Sequence, residues 1–505
     1  MSSNRNKLCV SLIPESMNQL YSWLDQIGEA DLVELRLDHF QHCPIHEIKE
    51  KVALPVIFTI RLPEEGGYWK GSEQERVNNF QKAINAGVEF IDIEWKAAQK
   101  TLPALRFNET TRLILSFHTA ENDLEILKRQ LHEMVKLPAD VYKLIFTAHE
   151  FDDNLTAYLL WQEAQKLGIK YVIHAMGEHG TLSRLWGAIF GNEWTYVSLD
   201  GAAETATGQI SLGAARKEYF LPEKTPQTRL VGLLGYPIAQ SSGWRLHNRL
   251  LHKKKTDVGN SANRIKDFLY TNFPVKDFES FWPKWKDLLY GLSVTIPHKE
   301  TVVSYLTSLS PEVQVSGVCN TIFRRDGVWW GINADLLAIK ELLKPYAEGC
   351  IQSALIIGTG ATARSAIAAL LQLGISPEKI FVSGRNTKKG EFLQNYFNIG
   401  FVPQQQLFSY SVDCIIQTTP VGMFPNVEEV PPGTDLFHEG MVVLDVIYNP
   451  EYTQFLKIAK DKGCHVISGR EMFLRQAAYQ FEIYSGVRAS VEEIRSIWEE
   501  IHLNF

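Results

Sequence analysis

Apolar and polar positions follow a repeating rhythm up to about Ala215. Each repeat is a short apolar run, a turn, and then a stretch whose apolar residues have helical spacing. Eight parallel strands joined by helices close a (β/α)8 (TIM) barrel, and the even spacing of the repeats favours this form over an open doubly wound sheet. The predicted strands are Leu8–Leu12, Leu32–Asp38, Val56–Arg61, Phe90–Trp95, Arg112–His118, Val141–Thr147, Tyr171–Met176 and Tyr196–Asp200.

The rhythm stops at a segment that suits neither a helix nor a strand. Lys217–Thr228 carries two prolines and mixed charge, so we interpret 217–228 as a linker that follows a barrel over residues 1–216. Beyond it, strand and helix patterns alternate again, and a glycine-rich turn lies far inside, at Gly358. The second half is therefore also α/β, with two predicted lobes. One spans 229–345 and is completed by 470–505, and the other is a Rossmann-like lobe over 346–469.

The composition is that of an ordinary globular protein. Of 505 residues, 45% are hydrophobic and 22% are charged, and the formal net charge is −7. Binding to nucleic acid requires a basic surface, so this charge argues against it, whereas a few local arginines can still hold a small anionic substrate. No apolar run has membrane-spanning length, and the N-terminus is too short and polar for a signal peptide, so we expect a cytoplasmic protein.

The six cysteines are scattered and form no Cys-x-x-Cys pair. They fit neither a zinc site nor a disulfide framework, so we expect no metal and small core thiols in a reducing compartment. They are Cys9, Cys43, Cys319, Cys350, Cys414 and Cys464.

Charged side chains stand at the C-terminal ends of several predicted strands, where barrels of this type carry their active sites. Lys143 is the most unusual, because it lies between Tyr142 and Leu144 in an otherwise apolar strand. It could be the partner of a buried acid, a snorkelling edge residue, or an amine kept neutral for imine formation by desolvation and neighbouring arginines. His118 is placed to transfer protons, although a single strand-end histidine is more often structural. The remaining charged residues at strand ends are Glu34, Arg36, Asp38 and Arg61.

Six segments of the first half occur in the order and spacing of one enzyme family. They are ADLVELRLDHF from Ala30, FTIRLPEEGG from Phe58, LSFH ending at His118, YKLIF around Lys143, SRLWGAIFG from Ser183 and TATGQISL from Thr205. Together they resemble type I 3-dehydroquinate dehydratase.

The resemblance implies a role for each matching residue. Lys143 would form an imine with the ketone of 3-dehydroquinate, and His118 would remove a ring proton alpha to the imine and help water depart. Glu65 would support that histidine, and Arg184 would bind both oxygens of the substrate carboxylate. Thr205 stands where the family usually has serine and keeps the hydroxyl group. The implied substrate-binding residues are Ser11, Glu34, Arg36, Arg61, Arg184, Thr205 and Gln209.

The segment SALIIGTGATARSAIAALLQLG from Ser353 is typical of a strand, a glycine-rich turn and a helix that bind a dinucleotide. The next predicted strand ends in Gly384-Arg385 instead of the acid that would bind the ribose 2′-hydroxyl of NAD. Arg385, with Lys388 nearby, suits the 2′-phosphate of NADP, and a solvated basic turn is the alternative. The predicted NADP-binding residues are Gly358, Thr359, Gly360, Ala361, Thr362, Arg385, Asn386 and Lys389.

Motifs over almost all of 230–505 resemble shikimate dehydrogenase. They are GLLGYPIAQS from Gly232, GLSVTIPHKE from Gly291, GVCNTIFR from Gly317, GINAD from Gly331, the nucleotide turn, QTTPVGM from Gln417, DVIYNPEYTQFL from Asp445 and SGREMFLRQAA from Ser468.

This second resemblance implies that Lys299 and Asp335 are the catalytic pair. Lys299 would donate a proton to the carbonyl oxygen as NADPH delivers hydride, and Asp335 would orient the lysine and the substrate hydroxyl. Without the resemblance, both would look like ordinary surface charges. Gly469 would contact the nicotinamide end, and the implied substrate-binding residues are Ser241, Thr295, Asn320, Tyr448 and Gln476.

The second half departs from its family at the substrate rim. Gly243 replaces the second serine of Ser-x-Ser-Pro, Ser293 replaces an asparagine, and Ala334 and Leu336 replace the threonine and glycine of Asn-Thr-Asp-Gly. The loss of one hydrogen bond costs about 0.5–1.5 kcal/mol, which weakens binding without abolishing turnover.

The two resemblances predict consecutive reactions, because the dehydratase makes 3-dehydroshikimate, the ketone that a shikimate dehydrogenase reduces with NADPH. We therefore expect a bifunctional enzyme of aromatic amino-acid biosynthesis. One alternative makes the second half a quinate/shikimate dehydrogenase of relaxed preference that could use NAD. The other makes it a regulatory module that keeps the nucleotide fold without turnover.

Overall fold

The computed structural model describes residues 6–201, 206–258 and 264–503. The chain divides into two compact units. The N-terminal unit spans Met1–Thr228, and the C-terminal unit spans Arg229–Phe505.

The N-terminal unit is built on eight parallel strands in the order β8-β1-β2-β3-β4-β5-β6-β7, with helices between them. This confirms the predicted barrel-type fold. The strands are β1 (Lys7–Leu12), β2 (Leu32–Arg36), β3 (Val56–Thr59), β4 (Phe90–Glu94), β5 (Arg112–Thr119), β6 (Val141–Thr147), β7 (Tyr171–Met176) and β8 (Trp194–Val197). The helices are α1 (Met17–Leu24), α2 (Ile45–Lys51), α3 (Glu73–Asn85), α4 (Trp95–Thr101), α5 (Leu124–Met134), α6 (Asp153–Lys166), α7 (Thr181–Phe190) and α8 (Leu212–Lys217).

The edges of the sheet, β7 and β8, are bridged by a side chain. The Asn192 amide accepts a hydrogen bond from the Ile173 N–H at 3.0 Å and donates one to the Ile173 carbonyl at 3.1 Å. Strand β8 begins at Trp194, two residues before the predicted start, because Trp194 and Thr195 pair with the first residues of β1. The sequence pattern therefore placed the last strand too late.

The predicted linker packs against the N-terminal unit. Leu221 and Lys224 are buried, and the Asn6 amide donates to the carbonyls of both residues, at 3.0 and 2.5 Å. The segment is thus folded chain with specific contacts.

The C-terminal unit contains two six-stranded sheets. The first has the order β10-β9-β11-β13-β14-β12, in which β13 is antiparallel to both neighbours, and the second is parallel with the order β17-β16-β15-β18-β19-β20. The strands are β9 (Arg229–Gly235), β10 (Phe268–Pro274), β11 (Gly291–Val294), β12 (Ser308–Leu309), β13 (Thr321–Arg325), β14 (Val328–Ile332), β15 (Ala354–Ile357), β16 (Ile380–Ser383), β17 (Gly400–Phe401), β18 (Cys414–Gln417), β19 (Val442–Asp445) and β20 (His465–Ile467). The helices are α9 (Gly243–Val258), α10 (Phe278–Trp285), α11 (Pro311–Ser316), α12 (Ala334–Ala347), α13 (Ala361–Gln372), α14 (Thr387–Phe397), α15 (Gln454–Asp461), α16 (Gly469–Ser485) and α17 (Val491–Leu503).

Each sheet has its own lobe. In the first lobe, α16 and α17 return from the end of the chain, so that Phe481 and Ile494 share a core with Val231 and Phe268. In the second lobe, the strand order is that of a Rossmann fold, which confirms the predicted fold class. Its order reverses between β15 and β18, where such sheets bind their ligands.

Two general features concern the whole chain. Within the described ranges, no helix combines the length and apolar character needed to cross a bilayer. The six cysteines are free thiols, and four of them are buried, as predicted for small core residues.

Candidate active sites

Lys143 lies inside the barrel of the N-terminal unit with two carboxylates in contact. It stands on β6, is 4% exposed, and donates hydrogen bonds to Glu34 at 2.8 Å and to Asp92 at 3.1 Å. Its ammonium group also lies 4.4 Å from the ring centroid of Tyr196. Side chains from β2, β4, β6 and β8 therefore meet at one amine.

The first carboxylate, Glu34, is held in place by hydroxyl groups. It accepts hydrogen bonds from Ser11 at 2.8 Å, Thr59 at 3.2 Å and Tyr196 at 3.4 Å. Burial is the largest effect and opposes its ionisation, but the charges of Lys143 and Arg36, together with the hydrogen bond from Lys143, hold the pKa of Glu34 below its ordinary value.

The second carboxylate, Asp92, is shared with an arginine. Arg61 donates to Asp92 at 2.9 Å and to the Ser116 hydroxyl at 2.6 Å, and Ser116 donates to Asp92 at 2.6 Å. Burial would raise the pKa of Asp92, but Arg61 and Lys143 lower it to about 2. Asp92 is therefore a fixed negative charge beside Lys143.

His118, at the end of β5, is paired with Glu65. The Glu65 carboxylate accepts a hydrogen bond from the backbone N–H of His118 at 2.9 Å. The same carboxylate lies 3.1 Å from the ring Nδ1 of His118. Burial, reinforced by the charges of Arg61 and Lys143, puts the pKa of His118 well below its ordinary value. Burial also raises the pKa of Glu65 to about 7, although Arg61 acts in the opposite direction. A neutral imidazole whose Nδ1 is engaged by Glu65 leaves Nε2 as a proton acceptor.

The other predicted residues of this unit lie around the same centre. Arg36 pairs with Asp38 at 2.9 Å and also donates to the Gly66 carbonyl, next to Glu65. Arg184 is buried on α7, and its charge contributes to lowering the pKa of His174 after the larger effect of burial. Gln209 is buried as well, whereas Thr205 lies outside the described residues.

Of the three interpretations of Lys143, the structure shows the contacts expected for the partner of a buried acid. Glu34 and Asp92 contact the lysine, and the neighbouring Arg61 pairs with the same Asp92. Asp92 was missed at the sequence level, although two acids in FIDIE at 90–94 are as costly in a buried strand as those in LVELRLD. The second acid of this strand, Glu94, is also buried, and it pairs with Arg76 at 2.6 Å.

In the C-terminal unit, Lys299 and Asp335 form a direct pair. Lys299 follows β11 and donates to Asp335 at 2.6 Å, and Asp335 stands in the first turn of α12. The Asn320 amide donates to the other oxygen of Asp335 at 2.8 Å, and the Asn320 carbonyl accepts from the Ala334 N–H. In this structure Asn320, which the resemblance had assigned to the substrate, holds Asp335.

The remaining rim residues make contacts of their own. Thr295 packs against Gly235, Ser241 accepts from the Gly243 N–H, and the Tyr448 ring lies tilted against Phe473 at 5.0 Å between centroids. Gln476 lies on α16, where its amide donates to the Phe473 carbonyl.

The substituted rim positions fall into two groups. Ser293 is buried and bonds to Gln480 and Tyr484 at 2.9 and 3.1 Å, and Leu336 is fully buried in the second lobe's core. The Leu336 side chain therefore packs into this core. Gly243 is different, because a side chain there would meet only Ser241 at 3.4 Å and the Tyr270 hydroxyl at 4.0 Å.

The glycine-rich turn has the geometry of a nucleotide cradle. Gly358 has a φ of 122° and no room for a Cβ beside Thr418, whereas Gly360, the N-cap of α13, faces open space. The backbone N–H groups at the start of α13 are thus accessible to a pyrophosphate. At the end of β16, Arg385 is exposed and Asn386 caps α14 by accepting from the Lys389 N–H. Gly469, at the start of α16, packs against the backbone of Val446 and Ile447 beyond β19.

Comparison with known proteins identifies both units. The type I 3-dehydroquinase family matches residues 8–226, the shikimate dehydrogenase substrate binding domain matches 233–322, and the shikimate 5′-dehydrogenase C-terminal domain matches 469–496.

Relatives align with the whole chain or with the second half. The chloroplastic bifunctional 3-dehydroquinate dehydratase/shikimate dehydrogenase of Arabidopsis thaliana is 28% identical over 97% of this chain and 83% of its own. The shikimate dehydrogenase (NADP(+)) of Maridesulfovibrio salexigens is 31% identical over 55% of this chain and 98% of its own. The structure of dehydroquinate dehydratase and shikimate dehydrogenase from S. pombe AroM aligns over 98% of both chains with 24% identity and a TM-score of 0.42. The chain therefore belongs to the shikimate dehydrogenase family, and it carries a type I 3-dehydroquinase domain ahead of the dehydrogenase.

Proposed function

We propose that the chain catalyses two consecutive steps toward shikimate. The N-terminal unit dehydrates 3-dehydroquinate to 3-dehydroshikimate through an imine on Lys143, and the C-terminal unit reduces that product to shikimate with NADPH. The observation that best supports this is that Lys143 is 4% exposed and contacts Glu34 at 2.8 Å and Asp92 at 3.1 Å, in a unit whose residues 8–226 match the type I 3-dehydroquinase family.

 

The residues around Lys143 supply the proton transfers that imine formation needs. The amine must lose a proton before it attacks the ketone. Glu34 lies within hydrogen-bond distance to accept that proton, and Asp92 stays ionised and orients the amine. Condensation then forms the C=N bond and releases the ketone oxygen as water. The imine is an electron sink, so the electron pair left by loss of the alpha proton is stabilised as an enamine.

His118 is the base in this proposal. Its neutral imidazole takes the alpha proton on Nε2 and then delivers a proton to the departing hydroxyl group, which leaves as water. Glu65 stabilises the transient imidazolium through Nδ1. Hydrolysis of the conjugated imine releases 3-dehydroshikimate and regenerates Lys143.

The residues of the C-terminal unit fit NADP and a ketone substrate. The start of α13 would hold the pyrophosphate, and Arg385, Asn386 and Lys389 would hold the 2′-phosphate. Bound NADPH supplies the hydride. Lys299 donates the proton to the carbonyl oxygen, and Asp335 keeps the lysine oriented through their hydrogen bond.

A quinate/shikimate dehydrogenase of relaxed preference is the second candidate. Gly243 favours it, because this position lacks the serine side chain of the family and a Cβ there would be in ordinary contact with Ser241 and the Tyr270 hydroxyl, so the change alters the rim without a compensating side chain. A regulatory module without turnover is less well supported, since Lys299, Asp335 and Asn320 form an intact network.

One coupled assay tests the proposal. Wild-type protein given 3-dehydroquinate and NADPH should form shikimate, Lys143→Ala should block the first step, and Lys299→Ala should block only the second. Borohydride added with 3-dehydroquinate should trap an adduct on Lys143. An active Lys143→Ala variant would exclude the imine mechanism.

The same assay separates the alternatives. Faster oxidation of quinate than of shikimate, or a preference for NAD over NADP, would favour the relaxed dehydrogenase. Complete absence of shikimate-dependent NADPH formation, with the dehydratase active, would favour the regulatory module.

A further inference from the structure

Arg364 joins the nucleotide helix of the second lobe to the catalytic loop of the first. It stands in the first turn of α13, four residues after Gly360, and its side chain is 9% exposed. Its Nε donates to the Ser316 carbonyl at 2.8 Å, and its Nη1 pairs with Glu300 at 3.1 Å. Glu300 directly follows Lys299 in the chain.

The space around Arg364 is shaped to hold it. Its guanidinium lies 5.5 and 5.0 Å from the ring centroids of Phe392 and Tyr396 on α14. Gly317 has a φ of 64°, and a Cβ there would collide with the guanidinium. The arginine is thus fixed on several sides by both lobes.

A second connection runs from the same helix to Asp335. The Asn333 amide donates to Ser365 and to the Ser316 hydroxyl, each at 2.9 Å, and all three residues are buried. The Asn333 side chain also accepts from the Leu336 N–H, so it caps α12, whose first turn carries Asp335.

We infer that Arg364 is a positioning residue for the dehydrogenase reaction, and that it fixes the Lys299–Asp335 pair relative to the nucleotide turn. The inference rests on the proposed function. In the described structure the side-chain hydrogen bonds of Arg364 go to Ser316 and Glu300, not to Lys299 or Asp335, so it acts through these two residues and the cap of α12. A small displacement of the catalytic pair is costly, because hydride and proton transfer need aligned partners.

The test compares Arg364→Ala, Arg364→Lys and the control Arg488→Ala in full-length protein. Arg488 lies in the same unit, and its ion pair with Glu482 is exposed. We expect kcat for shikimate oxidation to fall on the order of ten- to a hundredfold in Arg364→Ala. NADP⁺ affinity, measured by equilibrium binding, should change little, and Arg488→Ala should match wild type. Arg364→Lys should recover part of kcat, because lysine keeps the positive charge but lacks the planar guanidinium that donates to Ser316 and Glu300 at the same time.

Two further measurements separate positioning from folding. In the reverse direction, reduction of 3-dehydroshikimate by NADPH that carries deuterium at the transferred C4 position, the isotope effect on kcat should increase in Arg364→Ala, because hydride transfer becomes slower. If Arg364→Ala does not bind NADP⁺, Arg364→Lys and Glu300→Ala replace it, and their kcat losses should be non-additive in the double variant.

Unchanged kcat, additive losses, or equal losses of kcat and NADP⁺ affinity would overturn the inference. Failure of wild-type protein to oxidise shikimate would instead overturn the proposed function.

Discussion

At the scale of single residues, Glu65 controls the state in which His118 can act as a base. The pKa of Glu65 is raised to about 7, chiefly by burial, so the carboxyl group is ionised above that pH and protonated below it. Only the ionised form accepts a hydrogen bond from Nδ1–H and leaves Nε2 free. We expect kcat/KM of the dehydratase to fall as the pH drops through about 7, and Glu65→Gln to remove that dependence while lowering the plateau about 10- to 100-fold.

The control is the neighbouring Glu64, which is exposed. A pH profile of kcat/KM for wild type, Glu64→Gln and Glu65→Gln checks the prediction. Glu64→Gln should keep the wild-type profile. If Glu65→Gln also keeps it, another group is responsible for the acidic limb.

At the scale of elements, β4 carries a charge that stabilises the strands around it. Asp92 has a folded pKa of about 2, below its ordinary value of 3.8, so its contribution is present above pH 4 and is lost as the pH falls toward 2. Asp92→Asn removes the carboxylate that Arg61 and Lys143 share and leaves Lys143 with Glu34 and Arg61 with the more distant Glu94. Breaking a buried pair costs at most about 3–5 kcal/mol, and the remaining acids reduce that cost. We expect faster amide hydrogen exchange in β3, β4 and β5 at pH 7, measured by mass spectrometry.

Asp25→Asn is the matched control, because Asp25 is exposed at the end of α1. Its exchange should equal that of wild type. If β3–β5 of the Asp92→Asn variant exchange at the same rates as in wild type, the ion pairs of Asp92 contribute no net stability to these strands.

The elements also explain what the sequence could and could not reveal. Lys143 was identifiable because a lysine in an apolar strand is anomalous within the strand itself. Lys299 and Asp335 were not, because their contact depends on how the loop after β11 meets the start of α12. The family resemblance supplied that pair, whereas the roles of Asn320 and Leu336 depend on packing that neither spacing nor resemblance describes.

At the scale of the whole molecule, each candidate site is drawn from one unit. The described contacts of Lys143 lie within Met1–Thr228, and those of Lys299 lie within Arg229–Phe505. Neither site therefore needs a residue from the other unit, and 3-dehydroshikimate is a small anion that can diffuse between molecules. An equimolar mixture of Lys143→Ala and Lys299→Ala should convert 3-dehydroquinate to shikimate, although neither variant does so alone.

The mixture should reach the wild-type steady rate at equal concentrations of intact sites, after a lag in which free 3-dehydroshikimate accumulates. Fusion in one chain raises the local concentration of the second site, so the lag should be shorter in wild type than in the mixture. Stopped-flow absorbance of NADPH measures both quantities, and Lys136→Ala, at an exposed lysine, is the control. A mixture whose steady rate stays far below that of wild type would mean that the two sites depend on being in the same chain.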